Sequence, residues 1–135
     1  MSNNNIESIL ALFSKQQFNE VLDAIQELIA NDSNDALLFN IQGACYAGLN
    51  KFTLAKESYI KAITLNPDYA KAHYNLAGAL YELNEFDDSI QSYQNALAIE
   101  SDYAEAHNNL GNVFKAKGQL DLAIKSYGTA IDLKP

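Results

Sequence analysis

The chain has 135 residues, of which 17 are acidic and 9 are basic, so its formal net charge is −8 at neutral pH. This balance disfavours non-specific binding to nucleic acid or to anionic lipid, and we expect neither as a partner. With a single cysteine, no apolar run long enough to span a membrane and no basic N-terminal leader, the sequence indicates a reducing, cytoplasmic setting.

Residues 1–35 are predicted to form a divergent helical hairpin that caps the N-terminal end of the fold. Gln16 and Gln17 lie between two apolar stripes with helical spacing, which predict two helices. The first stripe consists of Ile6, Ile9, Leu10, Leu12 and Phe13, and the second of Phe18, Val21, Leu22, Ile25, Leu28 and Ile29.

A unit of 34 residues then repeats along the chain. The run Asp-Tyr-Ala-Lys-Ala-His-Tyr-Asn-Leu at 68–76 returns at 102–110 as Asp-Tyr-Ala-Glu-Ala-His-Asn-Asn-Leu. A period of this length is typical of stacked helical hairpins. We therefore predict hairpins at 36–69, 70–103 and 104–135.

Each 34-residue repeat has the same residue types at the end of its first helix and at its helix contacts. The first helix is expected to end at a residue that tolerates the left-handed backbone conformation, namely Asn50, Asn84 or Gly118. A small residue within that helix lets the next helix approach closely, and a tyrosine follows in the second helix. These positions hold Gly43, Ala77 and Gly111, and then Tyr59, Tyr93 and Tyr127.

This pattern resembles the tetratricopeptide repeat (TPR). The third repeat, residues 104–135, has the motif residues of the family, which are His107, Leu110, Gly111, Phe114, Ala123, Tyr127, Ala130 and Pro135. The resemblance implies an all-α fold, a right-handed α-solenoid of eight helices in four hairpins. It also implies a protein–protein interaction scaffold that binds a peptide or partner segment in a concave groove.

In the family, the groove is lined by fixed positions of each first helix. In the second full repeat, residues 70–103, these positions are Lys71, Tyr74, Asn75, Gly78, Tyr81 and Glu82. The small residues Gly78, Ala44 and Gly48 are expected to leave room for a guest chain. Asparagine can pair with both N–H and C=O of a peptide backbone, although the asparagines could equally bond within the stack. The candidate peptide-binding residues are Lys71, Tyr74, Asn75, Tyr81, Asn108, Asn109, Asn112 and Lys115.

Two other functions stay open. The run Asn109–Asn112 resembles the superhelix of O-linked N-acetylglucosamine transferases and the repeat arms of bacterial sulfotransferases and glycosyltransferases, which present substrate to a catalytic domain. Alternatively, the chain is a homo-oligomer through its C-terminal hairpin. That hairpin lacks the polar capping helix usual in the family, so we expect either a fragment of a longer protein or a covered end.

Several activities and ligands are not expected. The sequence has no motif of an enzyme, so we expect no catalytic activity, cofactor or metal, and we interpret His73, His107 and Cys45 as packing residues. Relatives that grip EEVD-type chaperone tails clamp the terminal carboxylate with lysine, arginine and asparagine. Here Glu105 occupies one of the basic positions, so such a tail is an unexpected ligand.

Overall fold

The computed structural model describes residues 3–31 and 34–135, and within these ranges the chain forms eight helices joined by short turns, with no strand. The all-α prediction is confirmed. No helix there is long and apolar enough to cross a membrane. The helices pair into hairpins in chain order, and their bounds are α1 Asn3–Ser14, α2 Phe18–Ala30, α3 Ala36–Gly48, α4 Phe52–Leu65, α5 Ala70–Glu82, α6 Phe86–Ile99, α7 Ala104–Ala116 and α8 Leu120–Leu133.

The chain divides into two compact units, residues 1–67 with α1 to α4 and residues 68–135 with α5 to α8. We call them unit 1 and unit 2. Each unit contains two helical hairpins and has its own buried apolar cluster.

The first helix of every hairpin ends in the same way. Gln16, Asn50, Asn84 and Gly118 have φ of 58°, 60°, 62° and 77°, the left-handed conformation that was predicted for the last three. The residue after each donates its N–H to a carbonyl five residues earlier, as in Lys51 N to Tyr46 O at 2.8 Å. This Schellman-type closure satisfies carbonyls left open at the helix end and reverses the chain.

In unit 1, the core joins the N-terminal hairpin to α3. Val21 and Ile25 of α2 are fully buried beside Leu38 and Cys45 of α3. Burial raises the pKa of the Cys45 thiol to about 11, so the thiol stays protonated and weakly nucleophilic at neutral pH. Cys45 is therefore a packing residue, as predicted.

In unit 2, the core lies between α5, α6, α7 and α8. Tyr93 of α6 is only 3% exposed, and it packs with Ala77 of α5 and with Ala106 and Leu110 of α7. Side chains of successive hairpins thus bury one another, which is how a repeat stack gains stability.

Close approach of the two helices within a hairpin requires small residues. A Cβ added at Gly43 would lie 2.5 Å from Cε1 of Tyr59, and one at Gly111 would lie 2.7 Å from Cε1 of Tyr127. In the hairpin between these two, Ala77 takes the glycine position, and the buried Ser89 hydroxyl donates to the Ala77 carbonyl oxygen at 2.7 Å. The predicted role of the small residues is confirmed.

Two glycines of unit 2 make a matched test of this constraint. We expect Gly111→Ala to lower the free energy of unfolding by about 1–3 kcal/mol, because the new methyl group displaces the packed Tyr127 ring. Gly128→Ala in α8 should instead raise it by up to about 1 kcal/mol, because no atom outside its own helix lies within 4 Å of the added Cβ and alanine favours the helix. Urea unfolding followed by circular dichroism measures both, and equal effects of the two changes would contradict the close-packing account.

Candidate functional site

A groove between α5 and α7 of unit 2 holds a cavity of about 240 Å³. Three of the predicted peptide-binding residues line it, namely Tyr81, Asn109 and Asn112. The rest of the lining is Gly78, Glu82 and Tyr93. Two successive first helices thus supply the walls, and the buried Tyr93 of α6 supplies the floor.

Gly78 leaves real space in this groove. A Cβ added there would have the Tyr93 hydroxyl oxygen as its nearest neighbour, at 3.9 Å, which is ordinary contact distance. The same expectation for Gly48 is wrong, because a Cβ at Gly48 would lie 2.4 Å from the Phe18 ring. The aromatic side chain of the N-terminal hairpin already fills the room that the sequence pattern left for a guest.

Asn109 is engaged inside unit 2. Its Nδ2 donates to the Tyr74 hydroxyl at 2.9 Å, a contact between α7 and α5, and its Oδ1 accepts from Asn108 Nδ2 at 3.4 Å. The side chain is half-buried. Of the two alternatives for asparagine, Asn109 therefore takes the one that bonds within the stack, and its amide N–H that faces Tyr74 is not available to a guest.

Tyr74 is held by rings as well as by Asn109. Its ring stacks on that of Tyr103 with centroids 4.8 Å apart and planes 21° apart, and it meets Tyr93 edge-on at 5.8 Å. Burial raises the pKa of Tyr74, and raises that of Tyr103 to about 12, so both phenols stay neutral. The arrangement makes a rigid, uncharged aromatic wall at one end of the groove.

Asn112 differs from Asn109 in which side-chain atom is hydrogen-bonded within unit 2. The Tyr127 hydroxyl of α8 donates to Asn112 Oδ1 at 2.5 Å, which fixes the orientation of the amide. The side chain is exposed and lines the cavity, and no acceptor for its Nδ2 is recorded among the described residues. Asn112 therefore presents amide donors to the groove.

A second cavity, of about 290 Å³, lies between α7 and α8 beside Tyr74. Asn109 lines both cavities, and Glu105 and Lys134 line only this one. Lys134 Nζ lies 2.6 Å from Glu105 Oε1. The hydrogen bond to Lys134 lowers the pKa of Glu105, and the same bond raises the pKa of Lys134. The pair is exposed and carries no net charge, so it adds little stability.

The remaining predicted residues lie outside the lining of the α5–α7 cavity. Lys71 Nζ is 5.0 Å from the Tyr74 ring centroid, within cation–π range. Lys115 is exposed in the last turn of α7, and Asn75 is half-buried on α5. These residues share the helices of the groove but do not meet at one point with Tyr81 and Asn112.

Sequence reasoning left two groove-lining residues, Glu82 and Tyr93, out of the candidate set. Glu82 occupies a groove position of the repeat pattern, but its exposed carboxylate gave no signal of function. Tyr93 occupies the recurring tyrosine position of the second helix and is buried, and its hydroxyl end reaches the groove beside Gly78. The repeat period identifies such core positions but does not indicate that the polar end of a buried side chain can form a groove floor.

The described residues hold no group of three or more histidine, cysteine, aspartate or glutamate side chains placed to bind a metal ion. His73 is buried on α5. His107 Nε2 lies 3.1 Å from the Ser101 carbonyl oxygen, close to the start of its own repeat. Both histidines lie where packing residues were predicted.

Solved structures share this fold. The crystal structure of MamA superposes with a TM-score of 0.89 at 24% identity, covering 97% of this chain and 79% of that one. A structure of YrrB, described as a TPR protein with an unusual peptide-binding site, gives 0.88 at 19% identity, with coverage of 97% and 68%. Both are helical proteins of the same hairpin architecture.

Sequence comparison identifies a receptor as a relative. The peroxisomal targeting signal receptor of Saccharomyces cerevisiae is 32% identical over 68 residues, half of this chain and 11% of the receptor. This chain therefore spans a small part of the length of that relative.

Family models match most of the repeats. One model for the TPR repeat matches residues 43–83 and 77–118, and the tetratricopeptide repeat model matches residues 104–135. Together with the hairpin geometry, these matches show that the chain belongs to the tetratricopeptide repeat family.

Proposed function

We propose that this chain is a protein-interaction scaffold that binds an extended segment of a partner in the groove between α5 and α7. The observation that carries the proposal is the unfilled space beside Gly78. By contrast, an aromatic ring of the chain itself fills the space beside each of Gly43, Gly48 and Gly111, which occupy other positions of the repeat. The open space beside Gly78 is bordered by the amide donors of Asn112 and by the Tyr81 ring.

We infer different tasks for the proposed residues from their contacts. Asn112 is suited to donate to a backbone carbonyl of the guest, while Asn109 positions Tyr74 as a wall. Tyr81 lines the cavity itself. Lys71, Asn75, Asn108 and Lys115 extend the surface along α5 and α7, where a longer guest would meet them. An extended peptide bound in this way is recognised chiefly through its backbone, with side-chain preference set by the cavity.

The comparisons support a binding role. One relative is a targeting-signal receptor, and one structural neighbour is described by its peptide-binding site. Neither name denotes a transferase, so the substrate-presenting arm has no support from these proteins. Non-enzymatic function and cytoplasmic location remain predictions.

We also infer that the groove disfavours a carboxylate-terminated chaperone tail. Lys134 is the cation nearest to Glu105, and the two form an ion pair. That pair lines the neighbouring cavity between α7 and α8, and it offers no net positive charge for a second carboxylate.

The groove assignment has a direct steric test. Short random peptides displayed on phage are selected on the wild-type protein, and their affinities are measured by fluorescence anisotropy. Gly78→Leu should weaken binding about tenfold or more, because its side chain fills the cavity and displaces the guest. Gly128→Leu is the matched control, since it adds the same group to an exposed helical glycine outside the groove, and it should leave affinity unchanged. Undiminished binding to Gly78→Leu would contradict the groove.

A second candidate is self-association through α8. Leu120, Ile124 and Ile131 are 58%, 68% and 62% exposed. The residues at the same repeat positions in α6 are Phe86, Ile90 and Leu97, which are half-buried against the unit 2 core. Large exposed apolar patches mark interaction surfaces, and we infer a symmetric contact with the α8 face of a second copy.

Sedimentation equilibrium tests this contact. We expect the wild-type protein to show a dimer that dissociates on dilution, and the double change Ile124→Glu, Ile131→Glu to give a monomer with unchanged helicity. Leu54→Glu, which alters an exposed apolar residue of α4, is the control and should keep the dimer. A wild-type protein that is monomeric at all concentrations would exclude self-association.

A further inference from the structure

The α5–α7 cavity is lined by a single charged residue, Glu82. Two other acidic groups of unit 2, Asp87 and Glu105, are paired with Lys117 and Lys134. Glu82 is exposed at the end of α5, and no lysine of the described residues is recorded within ion-pair distance of it. The groove therefore carries one uncompensated negative charge at its cavity.

The carboxylate of Glu82 acts on the cavity floor. Burial raises the pKa of Tyr93 most, electrostatic coupling to Tyr74, Tyr81 and Glu82 raises it further, and a hydrogen bond from Asn109 opposes the rise. Glu82 is thus close enough to the Tyr93 hydroxyl to make ionisation of that group less favourable. A negative potential in a partly enclosed cavity attracts a cation more strongly than the same charge on an open surface.

Neutral groups complete the surroundings of this charge. Tyr81 lies in the lining, where its ring can flank a cation, and Asn112 presents amide donors because Tyr127 occupies its oxygen. Lys71 and Lys115 do not line the cavity. At about 240 Å³ the cavity is smaller than the roughly 300–1,000 Å³ usual for small-molecule sites, and it suits one long side chain.

We propose that the cavity takes a lysine or arginine side chain of the guest peptide, with Glu82 as its counter-charge. Asn112 donates to the guest backbone carbonyl beside that residue, and the Tyr81 ring packs along the aliphatic stem or cationic head. This proposal rests on the groove function above and adds the charge class of the residue that is recognised.

The test uses the same phage-displayed random peptides, selected separately on the wild-type protein and on Glu82→Gln. Wild-type binders should share one position fixed as lysine or arginine, and replacing that residue by glutamine should lower affinity three- to tenfold, about the effect of an ion pair supported by an aromatic ring. Glu82→Gln should lose both the fixed position and the difference between the two peptides. Affinity of the wild type should fall at high ionic strength more than that of Glu82→Gln.

Glu105→Gln is the matched control, because it removes the same charge from a carboxylate that is already paired with Lys134 and lies outside the cavity. It should keep the basic preference. Melting temperatures should agree among the three proteins, since Glu82 and Glu105 are both exposed.

Each other outcome overturns the proposal in a distinguishable way. Binders that Gly78→Leu excludes but that share an acidic or an apolar position would keep the groove and refute the basic pocket. A basic preference that survives in Glu82→Gln would refute the role of Glu82. A library that yields no binder, or binders indifferent to Gly78→Leu, would contradict the groove function itself.

Discussion

The close approach of the two helices within each of the three hairpins from α3 to α8 is the constraint on which the rest of the structure depends. At Gly43 and Gly111 there is no room for a Cβ, because a tyrosine ring from the second helix occupies that space. In unit 2 the equivalent ring, Tyr93, also packs against the following hairpin, so one side chain fixes both the hairpin angle and the packing of the next repeat. Beside it, Ala77 and Ser89 achieve the close approach with a buried hydrogen bond.

The candidate site arises where this filling is incomplete. Gly78 lies one position beyond the packing residue Ala77, and its side of α5 faces the Tyr93 hydroxyl across open space. The polar side chains around this space differ in the partners that they have within unit 2. Asn109 holds Tyr74 and Asn112 is oriented by Tyr127, whereas Glu82 has no ion-pair partner among the residues that the structure describes.

The sequence predicts the hairpins well. The 34-residue period gives their spacing, and residues that tolerate a positive φ, such as Asn50 and Asn84, mark where the first helices end. It predicts the site less completely. Phe18 fills the space beside Gly48 from a hairpin that has lost the family pattern, so no periodic argument could locate it. The bond from Asn109 to Tyr74 joins residues 35 apart, and whether an asparagine bonds its own stack or a guest is decided by such pairings rather than by its repeat position.

Nuclear magnetic resonance during titration with a selected peptide tests the central claim most directly. The claim is that a guest lies in the groove between α5 and α7. We predict that the backbone amide of Gly78 and the side-chain amide of Asn112 shift on binding, while amides of the exposed face of α8 around Ile124 do not. Shifts confined to α8, with Gly78 and Asn112 unchanged, would contradict the groove and place recognition on the apolar surface of α8.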